Sequence, residues 1–179
     1  MFENDVAGVL LSEEQLKEKV KELGEAITKD YEGEELIAVG ILRGSVVFLA
    51  DLIRNINLHT ELEFMAVSSY GNSTKTSGAV KINKDLDVDI SGKNVIIIED
   101  IIDSGVTLTY LKEMLLKRNP KSLKICTLLH KPDRRKADIV PDYIGFDIPD
   151  EFVIGYGLDY ASKYRNMPYV GILKREIYE

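Results

Sequence analysis

VIIIEDIIDSGVTL, running from Val95 to Leu108, is the stretch on which the reading of this chain turns. Four apolar residues lead into Glu99 and Asp100, two more follow, and the run breaks at Asp103-Ser104-Gly105-Val106-Thr107. A short apolar run closed by a turn suits a strand buried on both faces of a parallel sheet. In such sheets ligands sit beyond the carboxyl ends of the strands, where a loop feeds the next helix. Asp103 to Thr107 lies in that place and offers small side chains, two hydroxyls and backbone N–H groups at a helix start, which suit a phosphate. The Walker pattern GxxxxGKS or GxxxxGKT is absent, so no lysine here is built to grip a triphosphate. Glu99 and Asp100 are better matched to hydroxyl groups or a hydrated cation. Acids on a ribose diol and N–H groups on a 5′-phosphate together point to a sugar phosphate. The competing reading makes Asp103 a helix cap and Glu99-Asp100 a solvated strand end.

Outward from this stretch, strands alternate with helices. Ser12-Glu13-Glu14-Gln15 is a capping-box pattern, and Leu16, Val20, Leu23 and Ile27 follow at helical spacing, giving a helix over 12–30. LIAVGIL (36–42) has the character of a buried parallel strand; it ends at Arg43-Gly44, and VVFLADLIRNI reads as the next helix. ELEFMAVSSY (61–70) is a strand that opens into the polar loop GNSTKTSG (71–78). AVKIN and DLDVDI read as a hairpin, VTLTYLKEMLLKR as a helix, and LKICTLLH (123–130) as another buried strand. YIGFDI, FVIGYG and YVGIL are short and β-like. The alternation predicts an α/β fold with a central parallel twisted sheet flanked by helices and joined by right-handed crossovers. The β-rich tail is expected to form a small hood beside it.

A chain of 179 residues is sized for one domain. The core is expected over about residues 30–140, with the hood built from the N-terminal segment and about 141–179. A net charge of −7 opposes a broad nucleic-acid footprint. No apolar run approaches a membrane span, and MFENDVAGVL lacks a basic signal-peptide start, so a cytoplasmic protein without a membrane partner is expected. The single cysteine, Cys126, excludes an internal disulfide and fits a reducing compartment. Cys126 and His130 share a strand face, but His59 is the only other histidine, so no zinc set assembles and Cys126 reads as a buried structural residue.

The central stretch resembles the phosphoribosyl pyrophosphate-binding signature of type I phosphoribosyltransferases, in which two acids precede an acid-hydroxyl-glycine turn. ILRGS (41–45), SSYGN (68–72), LLHKPDRR (128–135) and DIPDEFVIGYGLDYASKYRNMPYVG (147–171) fall in the order that family uses, and the likeness is greatest to its purine-salvage, hypoxanthine-guanine branch in bacterial form. The resemblance covers residues 36 to 171 and implies the type I phosphoribosyltransferase fold. It also implies transfer of a phosphoribosyl group from phosphoribosyl pyrophosphate to hypoxanthine or guanine, magnesium as cofactor, and a homodimer or homotetramer.

Residue by residue, the resemblance makes Asp103 the general base toward the purine. Glu99 and Asp100 would hold ribose hydroxyls directly or through magnesium, with Asp159 also facing the metal. Asp103, Ser104, Gly105, Val106 and Thr107 would cradle the 5′-phosphate. Arg43, where many relatives have lysine, and Gly44 would form the pyrophosphate loop, in which a non-proline cis bond is typical. Arg165 would bind pyrophosphate oxygens. Lys131 would reach the exocyclic oxygen of a 6-oxopurine and disfavour adenine, while Arg135 is expected near the phosphate region or a subunit interface. Phe152 would stack on the purine, and Val153 and Asp159 would read its edge. Ser69 and Tyr70 would open a lid loop that keeps water from the ribosyl centre. The alternative, a regulator of the same fold that binds phosphoribosyl pyrophosphate as an effector, calls for a nucleic-acid-binding domain or a basic face, which the net charge opposes.

Overall fold

The computed structural model describes residues 4–69 and 80–179. In chain order its elements are β1 (Val6–Leu11), α1 (Glu13–Asp30), β2 (Leu36–Leu42), α2 (Val46–Ile53), β3 (Thr60–Ser69), β4 (Val80–Lys84) and β5 (Asn94–Ile102). Then come α3 (Val106–Leu116), β6 (Ser122–His130), a 3-10 turn (Pro132–Arg134), β7 (Tyr143–Asp147), β8 (Val153–Ile154), β9 (Val170–Leu173) and α4 (Arg175–Tyr178). Ser12 caps α1 as its sequence requires: the hydroxyl accepts from Gln15 N–H, and Gln15 Oε1 accepts the Ser12 N–H.

Six strands form one sheet in the order β4-β3-β2-β5-β6-β7, parallel throughout except at the edge, where β4 runs antiparallel to β3. The period of two in β5 divides its residues between two cores. Ile96 and Ile98 pack with Leu16, Val20, Phe48 and Leu52 of α1 and α2, whereas Val95 and Ile97 pack with Leu108, Leu111 and Leu115 of α3. A second, three-stranded sheet has the order β1-β9-β8. The chain leaves β2 for β3 on one side and β5 for β6 on the other, so the crevice between the carboxyl ends of β2 and β5 is the topological switch point.

Three expectations change. DLDVDI forms no hairpin with β4, because β4 pairs back on β3. Its alternation is still used: Leu86 and Val88 pack on the α3-side core and Ile90 is fully buried, while the Asp87 N–H donates to Glu63 Oε2. YIGFDI, grouped with the tail by its sequence, extends the large sheet as β7, parallel to β6 from Cys126↔Tyr143 to His130↔Asp147. Finally, β5 does not end at Glu99-Asp100, since pairing with β6 continues through Ile101↔Leu129 and Ile102↔His130.

Candidate active site

Two loops face each other across the switch point. The first follows β2. The Leu42–Arg43 peptide bond is cis, Arg43 is exposed, and Ser45 Oγ donates to Ile41 O at 2.7 Å. A Cβ on Gly44 would stand 1.7 Å from Asp100 Oδ2, so the loop backbone rests on the Asp100 carboxylate, an approach only glycine permits. Gly157, at φ 102°, packs on the other side, where a Cβ would meet Gly44 O at 2.1 Å. Three segments far apart in sequence therefore touch at Gly44.

Glu99 and Asp100 are half-buried in β5, and no ion pair reaches either of them among the described residues. Burial pushes the Asp100 carboxyl up to about 6 despite the Ile101 N–H that donates to Oδ1 at 2.9 Å and the nearby Arg165 charge. Burial raises Glu99 well above the ordinary carboxylate range, and the Asp100 charge adds to it. Paired acids held this way are relieved by a cation or by a ligand with hydroxyl groups.

The second loop leads into α3. Gly105, at φ 79°, is the N-cap residue and makes no side-chain cap bond, so Asp103 is not the helix cap. The turn is braced from beneath: Ser104 O accepts the N–H groups of Lys136 and Ala137 at 3.0 and 3.1 Å. The Arg135 side chain lies against Gly105, with Nη1 donating to Ile139 O and with Nε and Nη2 buried without partners among the described residues. Asp103 points instead toward a cavity of about 380 Å³ and accepts from Arg134 Nε at 2.9 Å. Arg134 also reaches Asp150 at 3.4 Å.

That cavity gathers Asp103, Lys131, Phe152, Val153 and Asp159 from the expected set and adds Arg134. Its volume lies within the range for small-molecule pockets. Lys131, buried, donates to Glu151 O at 2.7 Å and balances its charge with Asp150 at 3.6 Å. Phe152 keeps 37% of its surface exposed; Tyr160 meets its ring at 87°. Larger recesses exist elsewhere. One of about 600 Å³ lies at the opposite end of the strands, where Lys93 and Lys121 are already paired with Glu61 and Glu34. Another, about 950 Å³, lies beside α1 and α2. Neither joins an acid to an unspent phosphate turn.

Asp159 and Arg165 form an ion pair at 2.6 Å, Arg165 Nη1 donates to Gly157 O at 2.6 Å, and Ser162 N–H donates to Asp159 Oδ2 at 2.9 Å. Among the described residues no three His, Cys, Asp or Glu side chains gather closely enough to hold a metal ion. Glu99, Asp100 and Asp159 thus make no closed cage, although magnesium, which keeps several waters and takes substrate oxygens, does not require one. Ser69 ends β3, while Tyr70 and the 71–78 loop lie outside the described residues. The sequence reading missed Arg134, Asp150 and Tyr178 as members of the pocket; the basic run Lys131–Lys136 was the available signal for the first of these.

The phosphoribosyl transferase domain family profile matches residues 8–161. The chain is 55% identical over 179 residues to a hypoxanthine-guanine phosphoribosyltransferase of Bacillus subtilis (strain 168), covering 100% of this chain and 99% of the relative. A crystal structure of a hypoxanthine phosphoribosyltransferase from Staphylococcus aureus superposes with a TM-score of 0.96 at 53% identity, over 99% of this chain and 97% of the other. A hypoxanthine-guanine phosphoribosyltransferase from Bacillus anthracis, with a HEPES molecule in its active site, gives 0.92 at 55% identity over 95% and 100%. No helix among the described residues is long and apolar enough to cross a membrane. Sharing more than half its residues with such a relative along its whole length, the chain belongs to the hypoxanthine-guanine branch of the phosphoribosyltransferase family.

Proposed function

We propose that the protein transfers the 5-phosphoribosyl group from phosphoribosyl pyrophosphate to hypoxanthine or guanine, giving IMP or GMP and pyrophosphate. The observation that carries this reading is the cavity in which Asp103, Lys131 and Phe152 face one space beside the α3 turn. The first N–H groups of α3 have no intrahelical partner and take the 5′-phosphate. The ribose then extends toward Glu99 and Asp100, whose carboxylates accept from its hydroxyls and oppose the positive charge that develops on the ring. Beyond it, the Arg43-Gly44 loop and Arg165 receive the pyrophosphate. Glu99, Asp100 and, through water, Asp159 are oxygen donors suited to a hydrated magnesium ion, which would supply charge neutralisation to the departing pyrophosphate.

On the purine side, Asp103 accepts the proton from the attacking base, and Arg134 holds that carboxylate in place. Lys131 can only donate, so it favours an exocyclic oxygen over an exocyclic amine. The test is to incubate the purified protein with phosphoribosyl pyrophosphate, magnesium and hypoxanthine or guanine and to follow nucleotide. Asp103→Asn should lower kcat roughly 10²- to 10⁴-fold. Wild-type turnover in that variant removes the base assignment, and no nucleotide from the native protein with either purine removes the whole reading.

A further inference from the structure

One wall of the base cavity has no part in the chemistry above: Tyr178 of α4. Its ring stacks on Phe152 with centroids 4.7 Å apart and planes 23° from parallel. Tyr160 meets the same Phe152 ring at 5.6 Å and 87°, so two aromatics from different segments hold it. The backbone fixes the distance from platform to clamp. Leu173 N–H donates to Phe152 O at 2.8 Å, and Lys174 N–H, just before α4, donates to Asp5 O at 3.0 Å. Ile177 and Tyr178 then pack on the cluster of Ile154, Tyr164, Met167 and Leu173. The result is a half-buried tyrosine whose ring touches both Phe152 and the open space.

We infer that Tyr178 is a positioning residue for the purine: it sets the tilt of the Phe152 ring and closes the outer side of the base cavity. The inference rests on reading that cavity as the purine site. A platform ring clamped before the base arrives loses less freedom on binding, so the clamp strengthens base affinity. Neither Gly44 nor Gly105 lines this cavity, so the sugar-phosphate end is out of reach of the clamp. A tyrosine that merely packed the small sheet would act differently: its loss would weaken both substrates together.

Two variants separate these roles. Tyr178→Leu keeps apolar bulk and removes the ring, whereas Tyr178→Phe keeps the stack. The leucine variant should raise KM for hypoxanthine and guanine roughly 3- to 10-fold, with KM for phosphoribosyl pyrophosphate unchanged. The phenylalanine variant should match the native protein. By calorimetry, IMP should bind the leucine variant more weakly by the same factor, and ribose 5-phosphate equally well. The chain contains no tryptophan, so Tyr178→Trp adds a single indole reporter on the wall. Its emission should respond to IMP and not to ribose 5-phosphate. A base KM within twofold of native in the leucine variant, an equal rise for both substrates, or a tryptophan blind to IMP overturns the inference while native turnover keeps the function standing. A native protein that neither makes nor binds nucleotide overturns both.

Discussion

Gly44→Ala tests the contact on which the two halves of the site meet. The added Cβ would stand 1.7 Å from Asp100 Oδ2, 2.6 Å from its Cγ and 3.1 Å from Oδ1. Gly44 has no positive φ among the described backbone outliers, so the perturbation is steric and not conformational. Ordinary contact requires the carboxylate or the loop to withdraw by roughly 2 Å. Neither is free to do so, because Ile101 N–H holds Asp100 Oδ1 at 2.9 Å and Gly157 lies against Gly44 O. Overpacking of this kind costs about 1–3 kcal/mol. For a chain of this size that is a fall in melting temperature of roughly 3–10 °C. A catalytic carboxylate displaced by more than an ångström should lower kcat/KM about 100-fold. The assay is kcat/KM for phosphoribosyl pyrophosphate beside a thermal melt, with Gly8→Ala as control because nothing lies within 4 Å of a Cβ there. A Gly44→Ala variant within about threefold of native kcat/KM refutes either the contact or the place of Asp100 at the substrate.

Asp100 also carries a pH signature. Its carboxyl stands near 6 in the fold against an ordinary 3.8, so the folded state holds the proton more tightly than the unfolded chain. Without metal or substrate, its contribution therefore penalises the fold as pH rises from about 4 through 6, and low pH relieves it. Asp100→Asn, measured in chelator, should match the native melting temperature at pH 4 and exceed it at pH 7 by on the order of 2 kcal/mol in stability, with activity depressed; a gap that does not grow with pH refutes this. The Cys126 thiol is fully buried and burial pushes its ionisation far up, so a disulfide reagent at pH 8 should label it only at the rate of unfolding. Labelling of the native protein within minutes would show a path to that core.

The apolar runs were readable because their chemistry is local. β2 is apolar from end to end, β5 opens on Val95 to Ile98 and β6 carries Ile125, Cys126, Leu128 and Leu129, and the turn after β5 has the glycine its left-handed N-cap demands. Where partners decide, the pattern fell short. Asp85 to Ile90 alternates like a strand and finds no strand beside it, while five residues of the tail join the large sheet because an edge of β6 was open to them. Asp103, Lys131 and the pair Phe152 and Asp159 lie on three separate segments, so their meeting came from the family resemblance and not from spacing. Arg134 shows the limit. Four cations occur between Lys131 and Lys136, and only the 3-10 turn at Pro132–Arg134 determines which of them faces Asp103.

The small sheet has a consequence in time. Among the described strands β1 bonds only to β9, in a register from Val6↔Leu173 to Leu11↔Val170, so on the ribosome a strand made near residue 6 waits for one made near residue 170. At ordinary elongation speeds that wait is about 10–30 s. The parallel strands β2, β3, β5 and β6, with the phosphate turn between the last two, are all translated within it. Phe152 is synthesised within it as well, but the N–H that anchors its carbonyl belongs to Leu173. A nascent chain can thus fold the ribosyl half of the site while the base half still has no walls.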